Sequence, residues 1–460
     1  MQDLIAVFDV GKTNTKLNLI RAADGETVRS VQRTNRSVRD LGISQLDLAD
    51  MERWLLESLR DLPEKQRITA IVPVGHGAAC ALLDSAGQLL AAPDYEDPCF
   101  RESAADYGRE RDAFAETRSP RLPDGQNLGA QLFFLETRRP ETFGRVAHIL
   151  LLPQYWAWRL SGVMAAEVSS LGAHSDLWQP LQGEFSRLAR RRGWNRLFPP
   201  KRAASDLLGP LRQEIAAVTG LPETCQAACG LHDSNASWLW HLSKVRAGAD
   251  LTVISSGTWV IAMKSRADLE RLLEARDMLA NVDVFGAPVA TARFMGGREY
   301  AAIMTGRAMA TPTVEDLRNV VAQGAMALPA FAEGGGPFHG RAGRMVAAEG
   351  LADGAWAALA TAYVALVTDV ILELLGDSDK ILVDGPLAQN PLFAPLLKTL
   401  RPDASVFVSS ITSGATAGAL VLILGDVTAA ADSAERPVEP LEIEGLEAYR
   451  VAWRAQCVDW

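Results

Sequence analysis

The sequence predicts an α/β protein built from two domains, and three observations carry that reading. The chain has 460 residues, more than one hydrophobic core ordinarily organises. Short β-rich runs alternate with helical stretches along it. The same device opens each half, a strand, a turn with glycine beside hydroxyl side chains, and a second strand. It reads Asp9-Val10-Gly11-Lys12-Thr13-Asn14-Thr15-Lys16 in the first half and Ser255-Ser256-Gly257-Thr258-Trp259 in the second. A repeated opening implies a structural duplication with one ligand held between the halves, where such clefts form.

In chain order, residues 4–9 and 17–20 are β-rich, and the apolar runs 68–74 and 146–152 suit buried parallel or central strands. Residues 50–60 and 128–138 carry helical patterns. In the second half, 251–254 and 260–263 are strands around a tight polar turn, and 356–375 is a long helix. Strand 381–383, helix 391–400, strand 406–408 and helix 415–424 follow. The glycine-rich stretch 333–340 reads as a surface connection. The polar stretch 243–250 is the expected boundary, dividing the chain into 1–244 and 245–460.

Composition excludes several classes. Hydrophobic residues make up 48% and charged residues 22%, an ordinary globular balance. A net charge of −10 argues against a nucleic-acid partner. The basic run 187–196 reads as a solvated helix face. The N-terminus lacks a basic region, a long apolar run and a cleavage site, so no signal peptide is expected. No stretch approaches the ~20 apolar residues of a membrane helix. Five cysteines, an odd count, suit a reducing compartment, and a cytoplasmic location is expected. Cys225 and Cys229 lie on a strand-like run whose rise sets the two sulfurs apart, which argues against a metal pair.

The first hairpin is a candidate phosphate cradle. Gly11 lets the backbone turn tightly, and successive N–H groups with the Thr13 and Thr15 hydroxyls and Asn14 between them form an anion-binding concavity. Asp9 faces that concavity from a strand end. A carboxylate beside phosphates requires a cation, so Asp9 is the candidate ligand of Mg²⁺ or its waters. Gly11-Lys12-Thr13 imitates the end of a P-loop, but Ala6 stands where that motif needs glycine, in a run that reads as strand. In Gly230-Leu231-His232-Asp233-Ser234-Asn235 a strand ends and a helix begins. Asp233 is either a base placed at a cleft mouth or one of two possible helix caps, with Ser234 the other. Gly257 and Thr258 offer an N–H and a hydroxyl to a phosphate, while Trp259 reads as core. Asp384-Gly385-Pro386-Leu387-Ala388-Gln389-Asn390 and Ser413-Gly414-Ala415-Thr416-Ala417-Gly418 suit either a flat nucleoside lying against backbone or tight helix packing.

In this order and spacing the segments resemble the FGGY family of carbohydrate kinases, within the actin-like (ribonuclease H-like) ATPase superfold, over nearly the whole chain. Residues 152–162 and 168–178 match two linking segments of that family. The resemblance implies two actin-like domains with a ligand cleft between them, an ATP and Mg²⁺ requirement, and a sugar substrate bound by the first domain. It implies Asp233 as catalytic base and Asp9 at the metal. It places Gly11, Thr13, Asn14, Thr15, Gly257 and Thr258 at the phosphates, and Gly385, Ala388, Asn390 and Gly414 on the adenosine side. His76, Gly77, Asp97 and Asp233 are implied at the sugar. Within the family, Ser255 to Trp259, His232-Asp233 and Tyr95-Glu96-Asp97 look most like rhamnulokinases, implying a ketohexose or 6-deoxyketohexose such as L-rhamnulose or L-fuculose. Alternatives are a ketopentose (xylulose or ribulose) or polyol kinase and, outside enzymes, a nucleotide-gated binding protein. Lys12, His76, Pro386, Leu387, Thr412 and Ser413 depart from the family pattern. A homodimer is the assembly considered; no membrane partner is expected.

Overall fold

The structure is a computed structural model that describes residues 3–245, 248–409, 413–425 and 435–457. The chain folds as two compact units. The first comprises Met1–Lys244, Ala280–Pro288 and Ser413–Ala430, and the second Val245–Leu279, Val289–Thr412 and Ala431–Trp460. A single cut at 244/245 was expected. The two short excursions into the first unit depart from it, because the helix Gly414–Leu424 packs on Asp233–Leu242 so closely that a Cβ on Gly418 would collide with the Ala236 carbonyl.

Each unit is built on the same sheet. In the first, Leu4–Val10 pairs antiparallel with Asn14–Arg21, which pairs antiparallel with Thr27–Thr34. On its other edge Leu4–Val10 runs parallel to Ile68–Gly75, which continues parallel to Gln226–Ala228 and Leu231–His232. In the second, Leu251–Ser256 pairs antiparallel with Val260–Lys264, which pairs antiparallel with Pro288–Phe294. Its other neighbour is the parallel strand Lys380–Asp384, followed by Ser405–Ser409, also parallel. A hairpin followed by parallel strands, used twice, is the actin-like arrangement. The central strands are apolar on both faces, as parallel strands covered by helices require.

Some expectations change. The apolar run at 146–152 yields His148–Leu151, which is neither parallel nor central: it ends a three-stranded sheet and pairs antiparallel with Cys80–Leu83. The helix Asp353–Leu375 is long and apolar enough to cross a membrane by length and composition, contrary to expectation. It is hydrophobic all round because nearly every residue is buried within the protein, where it packs on Val314–Gln323 and Phe393–Leu400. The basic run holds the short helix Arg187–Arg191, whose arginines pair with Glu110, Glu116 and Glu184 while Leu188 and Ala189 are buried. Cys225 and Cys229 flank Gln226–Ala228 as buried free thiols. Thr412 lies outside the described residues.

Candidate active site

The hairpin at 9–16 is closed by Gly11 N–H donating to the Asn14 carbonyl at 3.0 Å. Asn35 straps it from behind. Its Nδ2 donates to the Gly11 and Lys12 carbonyls at 2.7 and 3.3 Å, and its N–H to the Thr13 carbonyl at 2.8 Å. Thr13 and Asn14 are exposed at the tip, with Asn14 Oδ1 accepting from the Thr34 hydroxyl at 3.3 Å. Thr15 corrects the expectation: its side chain is fully buried, and its hydroxyl donates to Asn35 Oδ1 at 2.7 Å. It braces the turn rather than facing a phosphate.

The strand-to-helix switch at 230–233 is set by backbone sterics. Gly230 has φ +81°, and a Cβ there would collide with the Pro73 carbonyl oxygen. Asp233 is the first residue of the helix Asp233–Leu242; the N-cap is His232, and no side chain caps the helix. Asp233 is therefore not the N-cap, although its carboxylate accepts a first-turn N–H. Asp233 Oδ1 accepts from Ser234 N–H at 2.5 Å and lies 3.3 Å from His232 Nε2, while the side chain keeps 30% of its exposure.

Two buried imidazoles border this carboxylate. Burial pushes the pKa of His232 down against the pull of Asp233, and burial does the same to His76. Both are held toward the neutral form, which can donate to or accept from a hydroxyl. His76 Nδ1 lies 2.9 Å from the Gly77 carbonyl, and the ring meets Tyr95 edge-on at 5.6 Å. Gly77 is small for a visible reason: a Cβ would stand 3.0 Å from His232 Nε2 and 3.4 Å from His174 Nε2. Lys12 closes the same corner, with Nζ 2.5 Å from Asp94 and 3.4 Å from Glu96, above the Tyr95 ring. Asp97 departs from its implied role. It is buried, and its two oxygens accept from Ser44 N–H at 2.5 Å and Cys99 N–H at 2.8 Å, capping the turn that begins at Pro98. Each oxygen thus accepts from main chain, and Oδ2 also lies 3.9 Å from Arg39 Nη1, contacts that hold the fold.

Asp9 lies across the strand pair from Lys16. Its pKa is pushed up to about 7 by burial first, then by the charge of Asp233, with Lys16 opposing. Two mutually repelling carboxylates, both partly buried, form a donor set that a divalent cation would stabilise. Among the described residues no group of three or more acidic, His or Cys side chains is placed to hold a metal.

In the second unit, Gly257 and Thr258 are exposed at the hairpin tip, and Gly257 N–H donates to the Trp259 carbonyl at 2.9 Å. Gly297, at the start of the helix Gly296–Ile303, donates to the Thr258 carbonyl at 3.2 Å; a Cβ there would collide with the Gly257 carbonyl. The stretch 333–340 is more than a surface connection, since Gly336, Pro337 and Phe338 are buried. Gly335, at φ +77°, lies against the Trp259 ring, and Gly336 N–H donates to Asp277 at 3.1 Å. Asp277 also pairs with Arg293, whose guanidinium covers Trp259 at 4.8 Å. Trp259 is thus a half-buried support between a glycine loop and an ion pair.

Gly385 is required because a Cβ at its φ of +81° would collide with the Ser256 carbonyl. Ala388 sits half-buried in the turn Pro386–Gln389 that follows. Asn390 corrects its adenosine role: Oδ1 accepts from Leu392 and Phe393 N–H at 3.0 and 3.2 Å, and Nδ2 donates to the Thr361 hydroxyl at 3.0 Å. Its side chain starts the helix Phe393–Leu400. Gly414 resolves toward helix packing, because a Cβ would collide with the Ser237 hydroxyl oxygen in the first unit. Nothing in the sequence marked Asp94 beside Lys12, His174 beside Gly77 or Asn35 behind the hairpin. Lys12, read only as a departure from the family pattern, proves to belong to the same corner as Asp94.

Two units of this topology, each opening on a glycine hairpin, define the class as the actin-like fold. The profile of the C-terminal domain of FGGY carbohydrate kinases matches residues 248–433. A solved structure of a carbohydrate kinase from Novosphingobium aromaticivorans is 39% identical, covers 98% of this chain and 100% of its own, and superposes with a TM-score of 0.90. The L-fuculokinase of Haemophilus influenzae is 30% identical over 139 residues, 29% of this chain and 27% of that protein. The L-fuculokinase of Escherichia coli K12 is 25% identical over 292 residues, 59% of this chain and 58% of that protein. The matches therefore span a little over a quarter and a little over half of those two curated relatives. The chain belongs to the FGGY family of carbohydrate kinases.

Proposed function

We propose that this protein transfers the γ-phosphoryl group of ATP to a hydroxyl of a ketohexose or 6-deoxyketohexose, with Asp233 as the base. The observation that carries the reading is the Asp233 carboxylate. It is fixed at a strand-to-helix switch, partly exposed, and bordered by Asp9 and two neutral imidazoles. Asp233 accepts the proton of the attacking hydroxyl, within a wall formed by His76, Gly77 and Lys12. Phosphoryl transfer has little covalent chemistry for a protein to do, so positioning and electrostatics supply most of the rate. The N–H groups of the two hairpins, with the exposed Thr13 and Thr258, bind phosphate oxygens, and Gly385 lets backbone approach the nucleoside. Asp9 would hold Mg²⁺, which supplies charge neutralisation at the phosphates. The proposed domain assignment is 1–244 for sugar and 245–460 for nucleotide.

Space and relatives support this choice of sugar. L-fuculose is the substrate named for both curated relatives, and Gly77 and Ala78 add almost no side-chain bulk. An extra methyl group in an apolar gap is worth roughly 1–3 kcal/mol of discrimination. L-Fuculose and L-rhamnulose are therefore expected to exceed xylulose and ribulose in kcat/KM, and Ala78→His to hurt the larger sugars more. A wild type preferring a pentulose, with the variant unchanged in preference, would remove these positions from the sugar wall.

Asp9 gives a pH signature. With its pKa near 7, the carboxyl is protonated below that value and must release its proton to bind a cation. Apparent Mg²⁺ affinity is expected to weaken by about tenfold per pH unit below 7 and to level off above it. Asp9→Asn should abolish this slope while sugar affinity holds. Identical metal dependence in both proteins would take Asp9 out of the site.

A further inference from the structure

The linking segments at 152–162 and 168–178 place a buried polar frame around the chain that leads into Asp233. Glu167 is fully buried at the start of Val168–Leu171, and among the described residues no cation pairs with it. Its Oε1 accepts from Ser169 N–H at 2.8 Å; its Oε2 accepts from Ser170 N–H at 3.0 Å and from the Ser169 hydroxyl at 2.7 Å. Having donated to Glu167, the Ser169 oxygen is left as an acceptor, and it takes the main-chain N–H of His232 at 3.2 Å. That N–H belongs to the residue immediately before Asp233. From the helix Leu152–Ser161, the fully buried Gln154 donates through Nε2 to the carbonyls of Cys229 and Gly230, both at 3.1 Å.

A carboxylate without a cation is a costly group to bury for packing alone. Here it fixes the direction of one hydroxyl, and that hydroxyl and one amide together tie down three main-chain groups between 229 and 232. We infer that Gln154, Glu167 and Ser169 are positioning residues that fix the approach of the Asp233 carboxylate to the acceptor hydroxyl. None of them touches substrate. The inference rests on the reading of Asp233 as base. Burial also pushes Glu167 up to about 7, against the hydrogen bonds from Ser169 and Ser170, which pull it down.

The test compares Ser169→Ala, Ser169→Thr and the double variant Ser169→Ala/Asp233→Asn with Asp233→Asn alone, by kcat, both KM values and thermal midpoint. A misplaced reacting group costs up to about 10²-fold, so Ser169→Ala should lower kcat toward that extent with both KM values unchanged. Ser169→Thr, which keeps the hydroxyl, should recover most of the loss. The double variant should be no slower than Asp233→Asn, because Ser169 acts only through that residue. If Ser169→Ala does not fold, Gln154→Met carries the same expectation. Asp233→Asn turning over at the wild-type rate would sink both the function and this inference. A folded Ser169→Ala, or Gln154→Met in its place, with wild-type kcat, or a double variant whose losses multiply, would sink the inference alone.

Discussion

Turnover of Asp233→Asn is expected to fall by about 10²–10⁴-fold, the range for loss of a general base, with fold and sugar affinity retained. The amide has the shape of the carboxylate, and its oxygen can still accept from Ser234 N–H, as Asp233 Oδ1 does at 2.5 Å. What it cannot do is take a proton. Since the helix Asp233–Leu242 is capped by no side chain, a purely structural role predicts little change in either rate or stability. The check is kcat under saturating ATP and sugar, with the thermal midpoint recorded on the same preparation. A near-wild-type rate would make Asp233 a helix residue and nothing more.

Gly230→Ala is expected to damage both stability and rate. The position has φ +81°, where an L side chain is strained, and the added methyl would collide with the Pro73 carbonyl on the neighbouring strand Ile68–Gly75. Backbone strain and overpacking together cost roughly 2–4 kcal/mol. Because backbone, not a flexible side chain, must yield, the displacement falls on the segment that aims Asp233. A clear fall in thermal midpoint with a fall in kcat is the expected pair of readings. An unchanged midpoint would mean that the two strands part at this point without cost.

The hairpins and central strands were legible because they combine an apolar run with a glycine that has a local reason to be there. Thr27–Thr34 was not legible: it alternates polar residues on a half-exposed edge and lacks the apolar face that marks a strand. Asp97 shows a different limit. As a carboxylate beside Tyr95 and Glu96 it resembles a ligand residue, yet Pro98 directly after it is the mark of a helix start, and the structure uses it so. What forbids a side chain at Gly385 and at Gly414 was beyond reach, since each meets a serine, Ser256 or Ser237, more than a hundred residues away. The same holds for Asn35, Asp94 and His174, whose importance comes from what the fold sets beside them. Gly77 was chosen by resemblance; the tight approach of the His232 imidazole, 3.0 Å from where a Cβ would stand, supplies a physical reason.

The most direct test of the central claim is ADP formation from ATP and Mg²⁺ by the purified protein, with and without a panel of ketoses. Phosphoryl transfer to a sugar hydroxyl that gives its proton to Asp233 requires that ADP appear in step with phosphorylated sugar. A ketohexose or 6-deoxyketohexose should raise the rate far above the sugar-free background, and Asp233→Asn should remove that increment. ADP release that proceeds equally with or without every sugar offered would contradict a sugar kinase and favour a nucleotide-gated binding protein on the same fold.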